Sequence, residues 1–147
     1  QKILEEHEIG LRLIGSGPTL KDCKEYVLKN NLSKHIFFES EMNHEKLNDF
    51  YNEIDLFVLP SYYEALGCVY LESWATKTPF IGIEHQGISE IIPDKDKMLS
   101  IPNNVEDLAN KILYFKDNEF KLESVKKFDV KKTIYKFLLL DIFCQNV

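Results

Sequence analysis

Cysteine is scarce in this sequence of 147 residues, and its three copies lie far apart at Cys23, Cys68 and Cys144. No C-x-x-C pair occurs, and an odd, scattered set is not the pattern of a disulfide framework. We therefore expect reduced thiols in a cytoplasmic protein. Because free cysteine is often buried, we also expect these side chains to be small members of the core.

Other absences exclude whole classes of protein. No apolar run approaches the roughly 18 residues of a membrane-spanning helix. Lysine and arginine number 18 against 24 acidic residues, and the net charge of -6 disfavours a nucleic-acid-binding surface, which requires concentrated positive charge. The 4 histidines are scattered, so no zinc site is expected. Without a Pro/Gly-rich linker, residues 1–147 are expected to form one domain.

The remaining composition, 44% hydrophobic and 29% charged, is typical of a globular domain with a substantial core. Short apolar runs predict strands at residues 9–14, 35–38, 56–59, 80–81 and 98–101. Helices are predicted between them, at residues 20–30, from Asn43, at residues 65–75 and from Asn103 or Asn104. Strands that alternate with helices predict an α/β fold with a parallel sheet.

The same spacing predicts which faces of the helices pack against the core. In the first helix these residues are Leu20, Cys23, Val27 and Leu28, and in the second they are Leu47, Phe50 and Tyr51. In the last helix they are Val105, Leu108, Ile112, Leu113 and Phe115. That helix is expected to begin with a capping box, in which Glu106 reaches back to the N-cap asparagine.

The stretch from residue 56 to residue 82 has the pattern of one strand–helix–strand unit. Its first strand ends at Pro60, a polar turn follows, and Gly67 lies near the start of the predicted helix. Glu64 lies in the turn, and Glu72 lies about two turns into the helix. In an open parallel sheet, ligands bind at the carboxyl ends of strands, and a helix N-terminus there offers N–H groups to a phosphate. This unit is therefore the main candidate for a binding site.

These residues resemble the nucleotide-sugar-binding motif of the retaining glycosyltransferases of family 4, which have the GT-B fold. The family pattern is roughly P-S-x-x-E-x-x-G-x-x-x-x-E-x-x-A-x-G-x-P-V-I. The positions in register are Pro60, Ser61, Glu64, Gly67, Glu72, Ala75, Pro79 and Ile81. Lys77 stands where the family usually has glycine, so that turn is expected to be made differently.

Weaker matches in the same order extend the resemblance over nearly the whole chain. Residues 11–18 resemble the strand and glycine turn L-x-I-V-G-x-G-P, and residues 50–61 resemble L-Y-x-x-A-D-x-x-V-x-P-S. Ser40 and Gln86 replace glycines in segments that resemble the family patterns V-x-F-x-G and G-G-x-x-E.

The resemblance implies a Rossmann-like parallel sheet flanked by helices, the second half of a GT-B fold. It also implies that the chain is a fragment. In the family this domain begins with a further strand, followed by an Arg and a Lys that neutralise the diphosphate, and an N-terminal acceptor-binding domain precedes it. The further strand would lie in the middle of the sheet, so a gap or an altered pairing is expected.

The resemblance also assigns roles to single residues. Glu64 is the expected catalytic residue, which holds hydroxyls of the donor hexose and adds negative potential near the reacting carbon. Glu72 is expected to accept hydrogen bonds from the ribose hydroxyls, and Gly67 to let the backbone approach a phosphate. The other expected donor-binding residues are Leu66 and Cys68, which offer backbone N–H groups, and Gly15, Gly17, Ser89 and Glu90 in two loops.

Further expectations concern the surroundings of the donor. The base pocket is expected near residues 38–42, and Tyr62 and Tyr63 either flank the sugar or pack over the end of the strand. Neither a metal nor a cofactor is expected, because the nucleoside diphosphate sugar is a substrate.

The main prediction is therefore the donor-binding domain of a cytoplasmic retaining glycosyltransferase that serves polysaccharide or glycolipid synthesis. It would move a sugar from a nucleoside diphosphate sugar to a hydroxyl acceptor bound by the N-terminal domain, so the fragment alone would be inactive. No nucleic acid is expected as a partner.

Two alternatives are a nucleotide-sugar epimerase and a non-catalytic α/β module, such as a receiver or a flavodoxin-like domain. The P-S-x-x-E framework argues against the epimerase. A receiver ends a central strand in Asp, whereas the corresponding strand here ends in Leu59, Pro60 and Ser61.

Residues 120–143 have a helical pattern with two interpretations. One is a basic amphipathic helix that touches the inner face of a membrane, and the other is the family's final helix. We favour the final helix. The residues concerned are Lys126, Lys127, Lys131, Lys132, Phe128, Phe137, Leu138 and Phe143.

Overall fold

The computed structural model describes residues 2–92 and 94–120, in which strands and helices alternate along the chain. The strands are β1 (Leu11–Ile14), β2 (Ile36–Glu39), β3 (Phe57–Val58), β4 (Phe80–Ile83) and β5 (Leu99–Ser100). The helices are α1 (Lys2–Glu6), α2 (Leu20–Lys29), α3 (His44–Glu53), α4 (Cys68–Ala75), α5 (Lys95–Met98) and α6 (Val105–Asp117). A 3-10 helix, Gly87–Glu90, follows β4. The predicted α/β class is confirmed, whereas α5 was not predicted.

All strand pairs in the described residues are parallel, but they form two sheets. β1 pairs with β2, so that Leu11 lies beside Ile36. The second sheet has the order β3-β4-β5, in which Phe57 lies beside Phe80. The further strand that the resemblance implies remains a prediction.

The main core surrounds β4, which is buried at all its positions. A central parallel strand is covered on both faces, so its side chains are apolar without alternation. The buried members of this core are Tyr70, Trp74, Phe80, Ile88, Ile92, Met98 and Leu99. A smaller core of Leu4, Val27 and Leu32 packs against Ile3, Ile9 and the β2 residues Ile36 and Phe38.

Helix α4 begins at Cys68, so the predicted start at residue 65 is wrong. The N-cap residue, Gly67, has φ 68° and ψ 79°, a left-handed conformation that interrupts the helical path. Residues 65 and 66 therefore belong to the loop that leads into the helix.

The end of α4 also differs from expectation. Lys77 has φ 65°, the left-handed conformation that favours glycine, so the turn is made as glycine would make it. The N–H of Lys77 donates to the carbonyl of Trp74 (2.9 Å), and the N–H of Thr78 donates to the carbonyl of Ser73 (2.9 Å). These two bonds close the helix end and hold Lys77 in a strained conformation.

Two predictions for α6 are wrong. Asp107, not Glu106, reaches back: its carboxylate accepts hydrogen bonds from the Ser100 hydroxyl (2.8 Å) and the Ile101 N–H (2.9 Å). Val105 is 81% exposed. It is the first residue of α6, and because helical side chains tilt toward the N-terminus, its side chain extends beyond the first turn of the helix. Asn104 is the N-cap, as predicted, and accepts from the Asp107 N–H.

The expectation of buried cysteines is also wrong for the described residues. Cys23 and Cys68 are both free and exposed. In α2 the buried residue of the predicted stripe is Val27, while Leu28 and Cys23 face solvent. Cys68 is the first residue of α4, where it has no preceding turn to cover it. Cys144 and the predicted helical tail lie outside the described residues.

An ion cluster around Arg12 joins β1, β2 and α3. Its guanidinium donates to both carboxylate oxygens of Glu39 (2.5 and 2.9 Å) and to Glu53 (2.9 Å). The guanidinium carbon lies 5.0 Å from the centre of the Phe50 ring. The bidentate pair with Glu39 ties the two strands together, and the bond to Glu53 anchors them to α3.

Glu39→Gln is expected to lower the free energy of unfolding by about 1 kcal/mol at pH 7, because it uncharges one partner of a partly exposed bidentate pair. The hydrogen bonds from Arg12 hold the pKa of Glu39 below its usual value. The stabilisation is therefore fully present above the unfolded-state pKa of about 4.3 and is lost as the pH falls through the lower folded-state pKa. Urea unfolding at stepped pH measures it.

Glu25→Gln is the matched control, since the pair of Glu25 with Lys21 on α2 is largely exposed. It is expected to change stability very little. Equal losses for the two variants at pH 7, or a Glu39→Gln effect that grows as the pH falls, would contradict the prediction.

Lys77→Gly is expected to stabilise the protein by about 0.5 kcal/mol, because glycine adopts the left-handed conformation without strain. The gain is reduced by the greater freedom of glycine in the unfolded chain. Lys29→Gly, at the end of α2 inside the helix, is expected to destabilise by about 0.5–1 kcal/mol. Thermal unfolding of both variants is the measurement, and a destabilised Lys77→Gly would show that the turn does not strain the lysine.

Candidate functional site

The loop after β3 is bound through its backbone to the turn after β4. The side-chain oxygen of Gln86 accepts hydrogen bonds from the N–H groups of Tyr63 (3.2 Å) and Glu64 (2.9 Å). The N–H of Gly87 donates in return to the carbonyl of Glu64 (3.3 Å). Since β3 and β4 are parallel neighbours, both loops lie at the carboxyl edge of the same sheet.

Tyr63 has φ 90° and is 99% exposed, which excludes for this residue the alternative that it packs over the strand end. The neighbouring Tyr62 is also exposed, with its ring centre 6.4 Å from that of Tyr63. Whether these rings contact a sugar remains a prediction.

Gly87 allows the two loops to touch. A Cβ atom at this position would lie 1.4 Å from the carbonyl oxygen of Ala65, so any side chain here would overlap the backbone of the other loop. The Ser89 hydroxyl donates to the carbonyl of Gln86 (2.6 Å) and so holds the start of the 3-10 helix. Glu90, at the end of that helix, is exposed.

Gly67 is enclosed between two side chains of the site. A Cβ atom there would lie 2.5 Å from the Tyr70 ring and 3.0 Å from Cγ of Glu64. Tyr70 is buried, and its hydroxyl donates to the carbonyl of Leu59 at the end of β3 (2.7 Å). Burial, with a smaller contribution from the charge of Glu64, raises the pKa of Tyr70, so the hydroxyl remains a donor.

The N-terminus of α4 has no side-chain cap, because the N-cap residue is Gly67. The first backbone N–H groups of a helix have no partner within it, and the helix dipole favours negative charge at this end. Cys68 is exposed and Leu66 is partly buried beside it. The chemistry of this loop therefore suits an anionic group such as a phosphate.

Glu72 lies on α4 and is partly buried against α3. Its Oε2 atom lies 3.3 Å from the hydroxyl of Tyr51, which also lies 3.2 Å from the carbonyl of Val69. Burial, and then the charge of Glu72, raise the pKa of Tyr51, so the hydroxyl remains protonated. Within residues 2–92 and 94–120, neither Glu64 nor Glu72 forms a salt bridge.

A groove of about 420 Å³ opens at the carboxyl ends of β1 and β2. The amine of Lys24 lies 5.6 Å from the centre of the Phe38 ring, and the Ser16 hydroxyl donates to the carboxylate of Glu41. The groove includes most of the predicted base-pocket region. Its lining residues are Gly15, Ser16, Leu20, Lys24, Phe38, Glu39, Ser40 and Glu41.

The structure thus places the predicted residues in two groups. The loop residues 64–68 lie together with the turn that carries Ser89 and Glu90, and Glu72 lies deeper on α4. Gly15 lines the separate groove, and Gly17, with φ 149°, follows it in the same turn.

Sequence reasoning missed four residues that shape these groups: Gln86, Tyr51, Tyr70 and Lys24. Two of them gave a signal: Gln86 replaces a family glycine, and Tyr51 is the tyrosine of the matched pattern L-Y-x-x-A-D-x-x-V-x-P-S. Contacts between distant segments place Tyr70 and Lys24, and no motif marks these two.

With this geometry in place, the class of protein follows from comparison with known families. Residues 1–132 match the family described as glycosyl transferases group 1, and the chain belongs to that family. This membership confirms the resemblance expected from the motif.

Individual relatives agree with this assignment. The chain is 32% identical over 117 residues to the uncharacterized glycosyltransferase MJ1178 of Methanocaldococcus jannaschii, covering 79% of this chain and 33% of the relative. It is 31% identical over 109 residues to the sulfoquinovosyl transferase SQD2 of Arabidopsis thaliana, covering 71% and 21%. The chain spans about a third or less of the length of these relatives.

Solved structures give the same fold. Sucrose-phosphate synthase from Thermosynechococcus elongatus superposes with a TM-score of 0.65 at 30% identity, over 74% of this chain and 29% of the synthase. TarM of S. aureus superposes with a TM-score of 0.71 at 22% identity, over 79% and 24%. Both are GT-B enzymes, so the predicted Rossmann-like half of a GT-B fold is confirmed.

Gly67→Ala is expected to destabilise the protein by about 2 kcal/mol or more, because it adds a strained left-handed alanine and a clash with the Tyr70 ring. Gly10→Ala is the control: its nearest contact would be 3.7 Å, and its φ is not positive. Urea unfolding of both variants measures the difference, and similar stabilities would contradict the enclosed geometry at Gly67.

Proposed function

We propose that this chain is the donor-binding part of a retaining glycosyltransferase. The full protein would move a sugar from a nucleoside diphosphate sugar to a hydroxyl acceptor, in polysaccharide or glycolipid synthesis. The observation that carries the proposal is the joined pair of loops that brings Glu64 and the uncapped N-terminus of α4 to one edge of the sheet. Family membership favours a transferase over an epimerase and over a non-catalytic module.

The diphosphate would bind at the N-terminus of α4. The hardest part of the reaction is to stabilise the charge that develops on the departing diphosphate, which calls for fixed donors aimed at it. The N–H groups of residues 66–68 would supply such donors. A metal or a cofactor is not part of the proposal.

The sugar end of the donor would lie beside Glu64. Its carboxylate has no cationic partner among the described residues and is therefore available to hydroxyls of the hexose. A negative charge near the anomeric carbon stabilises the positive charge that develops there in the transition state. We do not assign Glu64 as a nucleophile.

The nucleoside would extend toward Glu72 and the groove at the carboxyl ends of β1 and β2. In this proposal Glu72 accepts hydrogen bonds from the ribose, while Tyr51 fixes the carboxylate by its contact with Oε2. The groove offers the Phe38 ring for stacking and the Lys24 amine as a cation.

The substrates of relatives support the class of reaction. One relative is the sulfoquinovosyl transferase SQD2, and another is the alpha-monoglucosyldiacylglycerol synthase of Streptococcus pneumoniae, with 31% identity over 91 residues. The TarM structure is a complex with UDP. By analogy, we propose a hydroxyl acceptor that is bound outside this chain and a cytoplasmic location. No helix among the described residues has the length and apolarity to cross a membrane.

Ligand-observed NMR with UDP, GDP, ADP and their glucose or mannose forms tests the proposal. One nucleotide series is expected to bind, and its base identifies the donor. Glu72→Ala is expected to weaken the binding of that nucleotide at least about tenfold, because hydrogen bonds from the ribose to a charged group are lost. Titration of both proteins gives the ratio.

Glu25→Ala removes an exposed glutamate of α2 and serves as the matched control, with binding expected to equal that of the parent. Thermal unfolding of each variant separates lost binding from lost folding. If the folded parent binds no nucleotide, or if Glu72→Ala binds as well as Glu25→Ala, the donor site is not where we place it.

A further inference from the structure

Gln86 departs from the family pattern in the turn after β4. The turn G-G-x-x-E has glycine there, which contributes no side chain to the neighbouring loop. In this chain the side-chain oxygen of Gln86 accepts two hydrogen bonds, from the consecutive N–H groups of Tyr63 and Glu64. One side chain of the β4 turn therefore binds the peptide next to the proposed catalytic carboxylate.

The segment that Gln86 holds is strained. Tyr63 has φ 90°, outside the region that a bulky side chain prefers, and its ring makes almost no contact with the protein. Because ring packing does not maintain this conformation, the hydrogen bonds on either side of the residue must do so. Strain that is maintained in this way is typical of positions with a functional role.

Gln86 is itself fixed. Its backbone carbonyl accepts from the Ser89 hydroxyl (2.6 Å), and the next residue, Gly87, donates to the carbonyl of Glu64. Both peptide groups that flank Glu64 are thus held, one through the Glu64 N–H and the other through the Glu64 carbonyl. The position of this residue relative to β4 therefore depends on the turn and not only on its own loop.

We propose that Gln86 is a positioning residue, which holds the strained Tyr63–Glu64 peptide so that the Glu64 carboxylate meets the sugar of the donor. The inference rests on the proposed function. It predicts a result of its own: loss of the Gln86 acceptor weakens binding of the sugar part of the donor. Binding of the nucleotide part, which Glu72 and the groove would hold, stays the same.

Gln86→Met is the informative variant, since methionine has a similar length and lacks the strong acceptor. Its affinity for the nucleoside diphosphate sugar is expected to fall at least about fivefold, as for one or two lost hydrogen bonds. Its affinity for the matching nucleoside diphosphate is expected to stay equal to that of the parent. Amide hydrogen exchange at Tyr63 and Glu64 is expected to accelerate, while exchange in α4 stays the same.

Two companion variants make the test specific. Gln86→Glu keeps an acceptor oxygen and is expected to retain slow exchange at Tyr63 and Glu64. Tyr63→Gly removes the strain, because glycine adopts positive φ readily. In that background Gln86→Met is expected to cost less sugar-nucleotide affinity than in the parent, a coupling that a double-mutant cycle measures.

The outcomes separate the two proposals. If the parent binds no nucleotide, the proposed function fails, and the inference fails with it. If the parent binds the sugar nucleotide but Gln86→Met binds it equally well, only the inference is overturned. An equal loss for the nucleotide and its sugar form would also overturn it, because that pattern indicates general damage to the domain.

Discussion

The contact between the loop after β3 and the turn after β4 is the constraint on which the candidate site depends. Gly87 must be glycine, because any Cβ atom would collide with the carbonyl of Ala65. Gly67 must be glycine as well, because the Tyr70 ring fills the space beside it. These two close approaches fix where the loop ends and where α4 begins. Glu64 and the helix N-terminus then share one edge of the sheet.

Contacts made by α4 and α3 hold that edge of the sheet in place. Tyr70 packs between α4 and β4, and its hydroxyl donates to the carbonyl of Leu59, the residue after β3, so the helix cannot shift without breaking this partly buried hydrogen bond. The other sheet is joined to this part through α3, by Arg12 on one side and by Tyr51 on the other. Helix α3 therefore contacts both parts of the structure: Glu53 binds Arg12 of the sheet that carries the groove, and Tyr51 binds Val69 of α4 beside the loop site.

Several features could be predicted because they depend on neighbours in sequence. The order of strands and helices follows from short apolar runs and helical spacing, and the P-S-x-x-E framework led to the family. Other predictions were wrong: the start of α4, the exposure of Cys23, Cys68 and Val105, and the backward contact expected of Glu106. Gly67 interrupts the helical path by its left-handed conformation, Cys68 and Val105 are the first residues of their helices, and the Asp107 carboxylate makes the backward contacts of α6. Apolar periodicity does not show where a helix begins or which of its residues the core covers.

The sequence by itself determined the fold class, the family and the types of residue at the candidate site. Local apolar patterning and motif spacing are properties of the sequence, and they do not depend on the conformation of the loops. Only the tertiary structure decided how the site is assembled. The bonds from Gln86 to the Tyr63 and Glu64 amides join residues more than 20 positions apart. Such a contact exists only after β3 and β4 have paired, since strand pairing brings their loops together.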